Sequence, residues 1–296
     1  MPRLLIGALI CLLAVSGCSQ GSSEPQTAGN IKFSSRPGEQ GQETTNLLLI
    51  SSPWSAQQRF SINFPEHCWG RGLPNVSHSS NVQIDKPWLF NTDSSSTWFE
   101  YEARPGVVFR ASASAESMAV RLKMELDNRS DTAATDIRTL ICLRPGGLDE
   151  FNDHDYARTF VAVDGKPVRL GADTHYDGPL PEEGRAYWAL NVAGGPDNLT
   201  FEDLGWFRPG SGPGRIVEER ADPPLIAVRA SNEPERWLAM IWRPARLLFS
   251  NSSIPCIHSD PLPPDCPPGA TSSAVGLILF HEGNFQGLLE RAKAEL

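Results

Sequence analysis

The side chains with the means to do chemistry fall in a few short stretches. His258 stands in Cys256-Ile257-His258-Ser259-Asp260-Pro261, and an imidazole with an ordinary pKa near 6.5 suits general-base work at neutral pH. His67 sits beside Cys68 and Trp69, followed by Gly70-Arg71-Gly72. Such a segment either lines a pocket, with Trp69 offering a flat apolar face and Arg71 its donors, or packs Trp69 over a bonded Cys68. His281-Glu282 ends an apolar run, where the pair either faces a cleft as acid and base or closes the sheet and starts a helix. Asp149-Glu150-Phe151-Asn152-Asp153-His154-Asp155 has the oxygen donors that calcium accepts. It lacks the glycine and terminal glutamate of a helical calcium loop, so a solvated acidic loop is expected. His175-Tyr176, in a Gly- and Asp-rich stretch, is expected to face solvent.

The cysteines divide by compartment. Arg3, the apolar run from Leu4 to Val15 and Val15-Ser16-Gly17-Cys18 form an export signal closed by a cysteine. The run is too short for a spanning helix, which needs roughly 20 apolar residues. The segment resembles the lipobox of bacterial lipoproteins, which implies cleavage before Cys18, fatty acylation of that residue and lasting attachment, since several chains hold where one does not. With Ser19 following, the sorting rule of enteric bacteria implies the outer membrane of the cell envelope. Cys11 leaves with the signal, so Cys68, Cys142, Cys256 and Cys266 remain. An oxidising compartment and an even number suit disulfides. The expected pairing is Cys256 with Cys266 around a proline-rich loop, which leaves Cys68 and Cys142 either to bond each other or to stay free as buried thiols packed like small hydrophobes. No Cys-x-x-Cys spacing occurs, so no metal ligand set is expected, and no cofactor is implied.

The chain has 296 residues, 40 % hydrophobic and with eight Trp, enough for a packed core. A formal charge of −9 with no basic stripe argues against a nucleic-acid partner. Residues 18–45 are Ser, Gln, Gly, Glu, Pro and Thr with few apolar groups, and are expected to form a flexible spacer. The expected organisation is therefore a signal at 1–17, a lipidated spacer at 18–45 and a globular domain at 46–296.

Within that domain, Phe60 to Phe64, Trp98 to Glu102 and Val120 to Leu126 alternate apolar with polar, as strands with one wet face do. Trp237 to Trp242 and Val275 to Phe280 are continuously apolar, as strands covered on both faces are. Asp164-Gly165 between two such runs predicts a tight hairpin. Residues 127–131 predict a turn into a strand over about 136–143. Only the end, about 285–296, has helical spacing, with Leu288, Leu289 and Ala292 on one face. With 25 Gly and 25 Pro punctuating short strands, the expected class is all-β: a single large antiparallel β-sandwich with a short C-terminal helix.

The segment from Cys256 through Pro263-Pro264-Asp265 to Gly269 resembles the late part of galactose mutarotases, where Cys-Leu-Glu and Pro-Asp precede a Pro-Gly turn. Arg236 to Trp242 and Leu247 to Asn251 are similar to that family's preceding strand pair. The resemblance spans about 50 residues and extends in style to an exported branch of the superfamily with a recurring Cys-x-His-x-Asp-Pro segment. It implies the mutarotase-like supersandwich, often a sugar-binding scaffold, with His258 where the family keeps its glutamate base. The family's partner histidine has no counterpart in Thr139 to Pro145, so ordinary mutarotase activity is not expected. The resulting expectation is an envelope-anchored lipoprotein contacting carbohydrate through His258 and Asp260, with His67, Trp69, Arg71, His281 and Glu282 as further candidates. The rivals are a structural or interaction lipoprotein and a polysaccharide-processing enzyme that would need a second titratable group near His258.

Overall fold

The computed structural model describes residues 31–36, 47–77, 87–170, 187–196, 214–251 and 254–296. Cys18, the segment 1–17 expected to be a signal, and His175-Tyr176 lie outside the described residues. The chain runs from β1 (Phe33–Arg36), β2 (Leu47–Ser51), β3 (Arg59–Arg71) and β4 (Leu73–Ser77) to β5 (Leu89–Phe90) and β6 (Ser96–Arg104). Then follow β7 (Val107–Ala115), β8 (Ala119–Asn128), β9 (Thr135–Arg144), β10 (Thr159–Val163), β11 (Lys166–Arg169) and β12 (Tyr187–Val192). The last strands are β13 (Gly214–Ala221), β14 (Leu225–Arg229), β15 (Arg236–Arg243), β16 (Ala245–Asn251), β17 (Cys256–Pro261) and β18 (Ala270–Glu282), before the helix α1 (Phe285–Glu295).

Two sheets result. One is ordered β1-β2-β3-β9-β17-β16-β12-β13, with β4 paired to β3; the other is β11-β10-β14-β15-β18-β8-β7-β6-β5. The inner faces meet through large rings: Phe60 of β3 lies edge-on to Phe280 of β18 at 5.7 Å, and Phe64 to Trp242 of β15 at 5.6 Å. These side chains alternate along their strands with residues on the other face, so each strand delivers every second residue to the core. The helix α1 covers the outer face of the second sheet over its central strands. Asn284 caps the helix by accepting the Gly287 N–H at 2.9 Å. Phe285, Leu288, Leu289 and Ala292 then pack on Trp237, Ala239, Ile241, Leu277 and Leu279. That explains why β15 and the second half of β18 read as continuously apolar. Asp164 (φ 50°) and Gly165 (φ 71°) form the expected hairpin turn between β10 and β11.

The all-β sandwich and its terminal helix match the expectation, with four differences. Ile31 to Arg36, expected within the spacer, belong to the sandwich: β1 pairs with β2 and Ile31 and Phe33 are buried. One strand pair, β12 with β13, is parallel. The acidic run is an anchored loop: Phe151 and Asp153 are buried, and Arg158 donates to the carbonyls of Glu150, Asn152 and Arg229. Asp153 accepts from the Arg158 N–H and the Thr159 hydroxyl, while burial raises its pKa.

The fourth difference is that Cys68, Cys142, Cys256 and Cys266 are all free thiols. Six extended residues of β17 carry the chain roughly 16 Å onward from Cys256, so Cys266 reaches a bridge with Ala134 instead of returning to its expected partner. Cys68 faces the inter-sheet core, where burial pushes its thiol up to about 12. Cys142 belongs to the opposite face of the sheet, with Cys256 and His258, so Cys68 and Cys142 cannot meet.

Candidate functional site

Four strands of the first sheet build one buried polar cluster on the face turned away from the core. β17 supplies Cys256, His258 and Asp260, which share a face because alternate residues of a strand do. β9 supplies Cys142 and Arg144, registered beside them through the Ile257 to Leu143 pair. β16 lays the Phe249 ring edge-on to His258 at 4.9 Å. β3 supplies Glu66 from a bulge: between the pairs Asn63–Cys142 and His67–Leu140 it carries three residues where β9 carries one. The extra residues redirect the Glu66 side chain toward His258.

The distances define a chain of contacts. Cys256 Sγ lies 3.4 Å from His258 Nε2, and His258 Nδ1 lies 3.4 Å from Asp260 Oδ1. Past the single registered pair between β9 and β17, a side chain bridges the strands: the Ile141 N–H donates to Asp260 Oδ1 at 2.8 Å. Glu66 Oε2 is 4.0 Å from His258 Nε2. Arg144 Nε donates to Cys142 Sγ at 3.3 Å, and its Nη2 is 3.7 Å from Glu66 Oε1. The ligating atoms of Cys142, Cys256 and His258 all lie within 4.8 Å of one another.

Burial sorts these groups into an inner and an outer set. His258 and Asp260 are 1 % and 0 % exposed. The Glu66 and Arg144 side chains keep 16 % and 31 % of their surface, so they are the cluster's way to solvent. The Cys256 sulfur beside it, and burial, hold the Cys142 thiol well above the ordinary range. Burial alone would lower His258, but the neighbouring Cys142 and Asp260 outweigh it and raise the imidazole well above its usual value. Burial raises Asp260 in turn, opposed by His258 and the Ile141 N–H.

Of the residues expected from the sequence, His258 and Asp260 meet here, but as interior groups and not as an open lining. His67 lies at the margin, hydrogen-bonded to Asn75 at 3.3 Å and edge-on to Trp69 at 6.4 Å; burial lowers its pKa. Arg71 is exposed at the end of β3. His281 and Glu282 are on the other sheet, where His281 Nε2 meets the Asn284 carbonyl at 3.1 Å and Glu282 pairs with Arg236. They close the sheet and start the helix. Glu66, Arg144 and the role of Cys142 were not anticipated; the signal within reach was the alternation Cys256-x-His258-x-Asp260, which puts three polar groups on one face of a strand.

No family model matches the chain, and no curated protein matches it. Among solved structures, a protein of Synechocystis sp. PCC 6803 is similar over 86 % of this chain and 93 % of its own, at 11 % identity and a TM-score of 0.45. A galactose mutarotase related enzyme from Lactobacillus acidophilus is similar over 86 % of this chain and 98 % of its own, at 11 % identity and a TM-score of 0.44. Neither likeness bears on the chemistry of the cluster.

Proposed function

We propose that this chain is an exported lipoprotein, anchored to the envelope through Cys18, whose sandwich contacts carbohydrate at the solvent edge of the Glu66–His258 cluster. The observation that carries the reading is the outer pair. A carboxylate and a guanidinium 3.7 Å apart, both partly exposed, present acceptors and donors side by side, as neighbouring hydroxyls of a sugar require. His258 and Asp260 act behind them: the buried imidazole faces Glu66 and fixes where that carboxylate points. His67 and Trp69 at the margin supply ring faces for stacking. The match of His258 to the family's base position agrees with this placement, while the missing partner histidine argues against mutarotation. The test is a glycan array probed with the mature domain. Binding to a defined set of sugars supports the reading; no binding to any glycan, by protein shown to be folded, refutes it.

One observation favours the polysaccharide-processing alternative. That reading needs a titratable group within reach of His258, and Glu66 is 4.0 Å away on the solvent side. In this reading Glu66 is the group that exchanges a proton with substrate, and His258 tunes it. Release of shortened or unsaturated oligosaccharides from a polysaccharide panel, lost in Glu66→Gln, distinguishes it from binding alone.

A further inference from the structure

The two thiols and the imidazole have a second use, which shares Glu66 and His258 with the carbohydrate reading and does not rest on it. We propose that Cys142, Cys256 and His258 form a binding site for a zinc-type divalent cation, with Glu66 closing the fourth position from the solvent side. Zinc takes two sulfurs at about 2.3 Å and a histidine nitrogen at about 2.0 Å in a tetrahedron, which sets a sulfur-to-nitrogen separation of roughly 3.5 Å. Cys256 Sγ and His258 Nε2 are already 3.4 Å apart, and all three ligand atoms fit within 4.8 Å.

The surroundings are those of a metal-ligating histidine. Such a residue donates its other ring N–H to a carboxylate, which fixes tautomer and ring orientation. His258 Nδ1 faces Asp260 Oδ1 at 3.4 Å, and Asp260 is itself held by the Ile141 N–H. Nε2 is the ring nitrogen that faces the Cys256 sulfur and Glu66, and it ligates once its proton has left. Among the ligands, two thiolates and the Glu66 carboxylate against a divalent ion leave one negative charge, and Arg144 lies against Cys142 and Glu66 to offset it. Binding forms two sulfur–metal bonds, one bond to His258 Nε2 and one to a Glu66 oxygen, and releases to solvent both thiol protons together with the proton that the raised imidazole carries on Nε2, with no change of oxidation state. Because the ligands come from β3, β9 and β17, an ion would tie three adjacent strands together. The sequence conceals the site, since its cysteines are 114 positions apart and the strand pair Cys256-x-His258 replaces the usual Cys-x-x-Cys.

The test uses full-length protein, reduced and stripped with chelator, then titrated with Co2+ as a spectroscopic stand-in for Zn2+. One ion per chain is expected, with thiolate-to-cobalt charge-transfer bands that Zn2+ displaces. Cys142→Ser, Cys256→Ser and His258→Gln should each weaken binding by about 100-fold or more, while Cys68→Ser leaves it unchanged. As a readout that needs no variant, Zn2+ should protect Cys142 and Cys256 of the wild type from alkylation during partial unfolding, and not Cys68 or Cys266. Folded wild-type protein that takes up no ion, or an ion bound without thiolate bands, overturns the proposal. So does a disulfide between Cys142 and Cys256 in protein recovered from the envelope. Glycan binding measured on stripped protein keeps the two readings separable.

Discussion

Cys256 and His258 stand two apart on one strand, and the sulfur of the first lies 3.4 Å from Nε2 of the second. The contact places an imidazole where a strand would ordinarily bury an apolar side chain, and the rest of the cluster follows from satisfying it. Removing the imidazole therefore leaves the buried Asp260 carboxylate facing a cavity, held only by the Ile141 N–H. His258→Ala is expected to lower stability by about 3 kcal/mol, read by urea denaturation. A change within experimental error would mean that the site is wetter than its 1 % exposure implies.

Gly276 of β18 faces Trp242 of β15, and a Cβ there would sit 2.4 Å from the indole ring. Trp242 is fully buried and packs on Phe64 of the opposite sheet, so it has nowhere to move. Gly276→Ala is expected to destabilise the protein by about 2 kcal/mol, again by denaturation.

The helix junction should respond to pH through His281. Its partial burial lowers its pKa, so the folded state disfavours the charged ring. Stability from this group is complete above the unfolded value near 6.5. It is lost as pH falls through that value toward the lower folded one, because the unfolded chain binds a proton that the folded chain resists. A His281→Gln variant should show a flatter fall in melting temperature below about pH 6.5. An unchanged slope would assign the effect elsewhere.

Peptide mapping without reductant should recover no peptide joining Cys256 to Cys266 or Cys68 to Cys142, since all four cysteines are free and differently placed. Cys68, with its thiol pushed up to about 12 by burial, should resist alkylation in the native state and react once the chain is unfolded.

The anchor is a separate matter. Cys18→Ser should release the protein from the membrane fraction, because the apolar run before it is too short to span. Unchanged fractionation, with no labelled fatty acid on the wild type, would refute the lipid anchor.

Alternation made β3, β6 and β8 legible in the sequence, continuous apolar runs did the same for β15 and β18, and turn chemistry for the β10–β11 hairpin. β1 was hidden because Ile31 and Phe33 are isolated apolar residues in a polar stretch. The cysteine arrangement is not legible in the sequence, for a physical reason. Proximity along the chain suggested Cys256 and Cys266, whereas face and register decide contact, and β17 runs extended between them. Glu66 escaped notice because its approach to His258 depends on the bulge after Asn63, a property of how β3 meets β9 and not of either segment alone.

The most direct measurement of the central claim is calorimetric titration of a sugar that the array identifies into wild-type protein and Glu66→Gln. Glu66 lies at the solvent edge, so the variant should lose at least about tenfold in affinity, or 1.4 kcal/mol, while its melting temperature stays within a few degrees. Equal affinity in the two proteins would contradict the placement of the site at this cluster.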